Sequence, residues 1–213
     1  MIDLNDPDRA FALGHVPIAS RPAVAALWAL DEQLGQIIAS TTQPMVGQMR
    51  LLWWREALNA GRKGHPVLEA MTSVESDGMK VGGTKVGGID AAALGIIIDG
   101  WEEVLEPLPL GAAQLTPFAK CRGTQLFTLS AQLMGGHCPD SAGAGWALAD
   151  FGLRCSDPVT AALALDMAGQ HLSSVDLKTV PRPLRILVRL VRNEVDASKR
   201  IVRTPWKLLR SVA

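Results

Sequence analysis

ALWALDEQLGQIIASTTQPMVGQMRLLWWREAL, residues 26–58, reads as parts of two successive helices. Counted from Arg21-Pro22, the residues Val24, Leu27, Trp28, Leu34 and Ile38 recur at three- and four-residue steps. That is the spacing of one face of an α-helix, and proline is tolerated in its first turn. The pattern stops in the polar stretch 40–44. A second helix follows, with Met45, Met49, Leu52 and Trp53 on one face and Arg50, Arg55 and Glu56 around it. On the first helix Asp31 falls among the apolar positions, so its carboxylate is expected to point inward. A buried carboxylate must be paired or protonated. Pairing with an arginine such as Arg50, or capping of a backbone group, is the plainer expectation; a metal-ligand role is the alternative.

Outward from this stretch the same signals repeat. Gly61 to Pro66 stops the second helix, and His65-Pro66-Val67 opens a third. Residues 91–105, 115–134, 142–154 and 159–172 supply four more, and 183–202 forms a basic amphipathic helix. In that last helix Arg185, Arg189 and Arg192 share one face, while Ile186, Leu187, Leu190 and Val191 cover the other, which suits a helix packed on its own domain. Asp157 before Pro158 reads as a helix cap or turn residue. There is no tyrosine and no alternating run bounded by a hairpin turn, so the expected class is all-α, in a single domain over 1–213.

Nearly half of the 213 residues are apolar, enough to offset the entropy of ordering the chain. No apolar run approaches the roughly 20 residues that span a bilayer. The acidic N-terminus does not read as a signal peptide. Cys121, Cys138 and Cys155 are odd in number and lack a close pair, which argues against a disulfide framework and a structural zinc site. A cytoplasmic protein is expected. The formal charge is zero but uneven: residues 1–177 carry 11 basic and 19 acidic side chains, and residues 178–213 carry 10 basic and 2 acidic. The basic C-terminal segment therefore seeks an anionic contact, either the acidic remainder of the same molecule or a membrane. Trp206-Lys207-Leu208-Leu209-Arg210 has the composition to dip into an anionic interface, peripheral to the inner membrane. Nucleic acid is disfavoured, because no aromatic stacking platform accompanies the arginines.

Lys80-Val-Gly-Gly and Lys85-Val-Gly-Gly form a near-duplicate. Their spacing is not that of a phosphate-binding P-loop, and residues 78–90 read as a flexible inter-helix loop.

The segment 26–58, above all Gly47 to Leu58 (GQMRLLWWREAL) followed by Gly64-His65-Pro66-Val67, resembles the squalene/phytoene synthase family. More closely it resembles the short branch that includes mitochondrial complex I assembly-factor relatives. Asp6-Pro7-Asp8-Arg9, Ile97-Ile98-Asp99-Gly100 and residues 181–191 are weaker matches. The resemblance implies an isoprenoid-synthase-like helical bundle around a central cavity. It also implies Mg2+ held by two aspartate-rich helices, which would neutralise a departing diphosphate.

The carboxylates this chemistry needs are replaced. Laid on the first aspartate-rich motif, the chain has Gly35, Gln36 and Ala39 in the aspartate positions; laid on the second, Cys155 follows Arg154. Trp28 stands for the usual tyrosine. The remaining candidates are Asp31, Asp150 and Asp157 for catalysis, Arg50, Arg55 and Arg154 for diphosphate, and Trp28, Met49, Trp53 and Trp54 for a cavity wall. Two readings follow. In one, the scaffold has lost prenyl transfer and serves as a lipid-binding or assembly module, with a prenyl lipid or a respiratory-complex subunit as partner. In the other, it is a divergent Mg2+-dependent prenyltransferase acting on isoprenoid diphosphates.

Overall fold

The computed structural model describes residues 2–73, 85–86 and 89–197. Helices dominate it: α1 Pro7–Leu13, α2 Arg21–Ser40, α3 Pro44–Asn59, α4 Pro66–Ser73, α5 Ala91–Glu102, α6 Ala112–Phe118, α7 Gln125–Leu133, α8 Asp140–Gly152, α9 Pro158–Ser173 and α10 Arg182–Asp196. The all-α class holds. The only strand pairing among the described residues joins Lys85–Val86 to Ile89–Asp90 antiparallel, at the second lysine-glycine repeat. The first repeat, and residues 198–213 with their Trp206 motif, lie outside the described residues.

The helix starts follow ordinary cap chemistry. Asp6 caps α1, its carboxylate accepting from the N–H groups of Asp8 at 2.9 Å and Arg9 at 3.2 Å, with Pro7 in the first turn. Asp157 caps α9 in the same way, accepting from Thr160 N–H at 2.7 Å. Its expected role as a cap is therefore met, and it stands apart from the other candidate acids.

Helix α2 is the centre of the core. From Ala23 to Asp31 every residue is buried, and Trp28 is among the largest fully buried side chains. The Trp28 indole donates to Ser130 Oγ at 2.9 Å, so the helix is keyed to α7 by a satisfied polar bond inside an apolar wall. The stretch expected as one helix over 115–134 is α6 and α7 joined by a π-helical turn, Ala119–Thr124. Pro117 lies inside α6 and offers no backbone N–H, and the hydrogen-bond ladder widens just beyond it.

Two glycines let this turn approach its neighbours. A Cβ on Gly100 of α5 would lie 2.5 Å from the backbone N of Arg122, and one on Gly123 would lie 2.3 Å from the carbonyl of Gly143 on α8. Helix α10 packs its apolar face inward as expected: Ile186, Leu187, Leu190 and Val191 are buried, and Arg192 donates to the carbonyl of Leu172 at the end of α9.

The structure corrects the reading of α3. Met45, Met49, Leu52 and Trp53 do share a face, but that face points outward, and the core takes Gly47, Leu51, Trp54, Ala57 and Leu58. Gly47 packs closely on this inner side, where an added Cβ would lie 2.4 Å from the Leu105 side chain.

Candidate functional site

A cleft of about 360 Å³ opens between the N-terminal segment, α2, α5, the π-turn and the end of α8. Its floor is an ionic cluster built on Asp31, which is fully buried. Asp31 Oδ1 accepts from the Trp101 indole at 2.7 Å and from Arg122 Nε at 3.1 Å. Its Oδ2 accepts from Arg9 at 2.5 Å and from Arg122 at 3.0 Å. Arg122 also donates to Asp150 at 2.7 Å, so one guanidinium bridges the carboxylates of α2 and α8. Arg154 closes the outer edge, donating to Asp150 Oδ1 at 2.9 Å and to Asp6.

Aromatic faces hold the buried cations in place. Arg122 lies 4.1 Å from the Trp101 ring centroid and 4.9 Å from that of Trp146, while Arg9 lies 5.0 Å from Trp146. Such contacts strengthen when desolvated. Three arginines and the three aspartates Asp6, Asp31 and Asp150 balance in formal charge.

Burial alone would raise the Asp31 pKa, but Arg122 and Arg9 outweigh it and hold the carboxyl below its usual range. Asp150 is likewise held low against burial, by Arg122, Arg154 and Arg9. Asp6 is held low against burial by Arg9 and Arg154, despite repulsion from Asp150. A carboxylate with a depressed folded pKa contributes stability above its unfolded value, and that contribution fades as pH falls. Urea unfolding at a series of pH values is therefore expected to give constant stability from pH 7 to about 5. A steep loss should follow below about pH 4, near the unfolded carboxylate value, with each such group adding about 1.4 kcal/mol per pH unit.

Of the residues singled out in the sequence, Asp31, Asp150 and Arg154 meet at this cleft. So do Gly35, Gln36, Ala39 and Cys155, all four on its wall. Gly35 has a local reason: a Cβ there would lie 3.1 Å from the Trp101 ring, the ring that donates to Asp31.

The other residues expected to wall a cavity or contact diphosphate lie away from this cleft. Trp28 is in the core. Trp54 is buried edge-on to His65, with 4.8 Å between ring centroids, while Met49 and Trp53 are exposed. Arg50 is exposed beside Thr41, and Arg55 pairs with Asp99 and Glu102 of α5. Asp31 does pair with arginine, but with Arg9 and Arg122 instead of Arg50. The sequence pattern marks both partners as inward-facing without pairing them to Asp31. Arg9 lies at helical steps from Ala12, Leu13 and Val16, and Arg122 from Phe118, Leu126 and Leu129.

Magnesium, implied by the family resemblance, does not fit this donor set. Both Asp31 oxygens are taken by nitrogen donors, and both Asp150 oxygens face guanidinium groups. Cys155, in the position of a second-motif aspartate, offers a soft sulfur that magnesium does not take. Among the described residues, no group of three or more His, Cys, Asp or Glu side chains is placed to hold a metal ion. All three cysteines are free, and burial pushes Cys138 up to about 12.

No protein-family model matches the chain, and no curated protein or solved structure is significantly similar to it. Among the described residues, no helix is long and apolar enough to cross a membrane.

Proposed function

We propose that this chain is a binding protein on a squalene/phytoene synthase-like scaffold, whose cleft accepts an isoprenoid chain without metal-dependent prenyl transfer. The observation that carries the reading is the Arg122 bridge between Asp31 and Asp150. In the resembled enzymes, cations between two acidic helices offset the diphosphate. Here guanidinium groups neutralise the acids of α2 and α8, and the former ligand positions Gly35, Gln36, Ala39 and Cys155 form the cleft wall. That these four, chosen from the sequence resemblance, line one cleft supports the reading.

The cleft's chemistry supports it as well. Pro7, Gly35, Ile38, Ala39, Trp101 and Phe151 offer apolar surface, and the half-exposed Arg154, paired with Asp150 and Asp6, forms a polar edge. The volume lies toward the lower end of the roughly 300–1,000 Å³ usual for small-molecule sites. Prenyl transfer would instead require opening the ionic cluster before a metal could reach Asp31.

Geranylgeranyl diphosphate binding, measured by equilibrium dialysis with chelator present, tests the proposal. Saturable binding is expected, with loss of at least about tenfold in Ala39→Trp, because an indole there fills the cleft from its exposed side. Absence of binding by the wild-type chain, or affinity unchanged by that substitution, contradicts it.

A further inference from the structure

The charges around the cleft do not cancel. Asp6, Asp31 and Asp150 are matched by Arg9, Arg122 and Arg154, and each of these guanidinium groups already meets a carboxylate. Glu32 is a fourth acid on the same lining, and among the described residues no fourth base lines the cleft to match it. Its carboxylate accepts from the backbone N–H groups of Asn5 at 2.8 Å and Asp6 at 3.2 Å. Those bonds hold its negative charge at the cleft without neutralising it.

The backbone adds charge of the same sign. Helices α2, α5 and α8 all reach the cleft with their last turns, through Ile38 and Ala39, Trp101, and Phe151. A helix C-terminus carries roughly half a negative charge on its unsatisfied carbonyls. None of the three helices has a basic side chain in its last turn to offset it. Among the elements lining the cleft, α1 alone presents an N-terminus, and the Asp6 carboxylate caps it. An anionic head group therefore enters against both the extra carboxylate and three helix ends. A head without negative charge does not, and the amides of Gln33 and Gln36 on the same wall can both donate to it and accept from it.

We infer that the cleft selects an isoprenoid whose polar end carries no negative charge, such as the alcohol, over the diphosphate of the same chain. This rests on the reading that the cleft holds an isoprenoid chain, and narrows the ligand class within it.

The test is displacement of labelled geranylgeranyl diphosphate by geranylgeraniol in equilibrium dialysis at pH 7, with chelator present. The full chain is compared with Glu32→Gln, and circular dichroism checks that the variant folds. In the wild type the alcohol is expected to bind at least about tenfold more tightly than the diphosphate. The alcohol's greater hydrophobicity also favours it, so the charge is read from changes in that ratio. Glu32→Gln is expected to narrow the ratio about threefold or more, by tightening the diphosphate, and raised salt should narrow it as well by screening the repulsion. Diphosphate binding as tight as the alcohol's overturns the inference and leaves the cleft reading standing. So does a ratio unchanged by salt or in the folded variant. Failure of both ligands to bind overturns the cleft reading and the inference together.

Discussion

Replacing Asp31 with asparagine is expected to lower the free energy of unfolding by about 3–5 kcal/mol. The substitution barely changes volume. It leaves Arg9, 4% exposed, and Arg122, 1% exposed, without their shared counter-charge. It also turns an acceptor-only group into one carrying two N–H donors, facing the Arg9, Arg122 and Trp101 donors. A buried ion pair need not stabilise a fold more than apolar residues of the same shape would. Removing one partner is costly because the other charge stays buried. Since the whole domain is expected to be stable by only about 5–15 kcal/mol, the variant should melt about 10 °C or more lower. Arg154→Ala provides the contrast: this side chain is 49% exposed at the edge of the same cluster, and its loss should cost about 1 kcal/mol or less. Equal, small effects of the two substitutions would mean that Asp31 does not organise the cluster.

The second large effect is expected at the crossing of the π-turn and α8. Gly123→Ala brings a Cβ to 2.3 Å from the carbonyl of Gly143 and 2.6 Å from Ala147 Cβ, and Gly143→Ala meets the carbonyl of Gly123 at 2.3 Å. The obstacle in each case is backbone, which cannot rotate aside. Helices must separate, and Arg122, next to Gly123, moves with them. A loss of about 2–3 kcal/mol is expected for either substitution by urea denaturation. Gly169→Ala, in α9, should have the opposite sign: nothing lies within 4 Å of its added Cβ, and alanine suits a helix interior better by about 0.5–1 kcal/mol. The opposite signs separate a packing cause from glycine's conformational entropy.

Much of the fold was legible because helices with one buried face announce themselves by period. Helices α2, α8 and α9 fall within a few residues of the segments expected from the sequence; α10 starts where expected but ends at Asp196, and residues 198–202 of its expected span lie outside the described residues. Helix α1 was missed although Asp6-Pro7 is a cap followed by a first-turn proline; seven residues are too short for periodicity to stand out. Helix α3 was read correctly as a helix and turned the wrong way, because period alone cannot choose between two apolar faces. The buried face is the one that carries Gly47, Leu51, Trp54, Ala57 and Leu58.

The site was half legible. An inward Asp31 follows from its place on the α2 wheel, and Gly35, Gln36, Ala39 and Cys155 were identified together through the family resemblance. The arginines that complete the cluster lie 22 and 91 residues away from Asp31 in the chain. Such a pairing is set by how helices cross; Pro117 marks a break in the 115–134 helix, but not which helices the π-turn beyond it brings together. The sequence alone therefore suggested a nearer partner, Arg50, which the structure leaves on the surface beside Thr41.

Guanidinium groups, with Arg122 as the bridge, occupy the oxygens of Asp31 and Asp150, and the proposed function requires that this pairing keep Mg2+ from activating a bound diphosphate. Diphosphate release from geranylgeranyl diphosphate, followed with the full chain in excess Mg2+ and again in chelator, tests it most directly. The ligand should be recovered intact in both conditions, with release no faster than in buffer alone. Release that depends on both the protein and Mg2+, and stops on chelation, would contradict it.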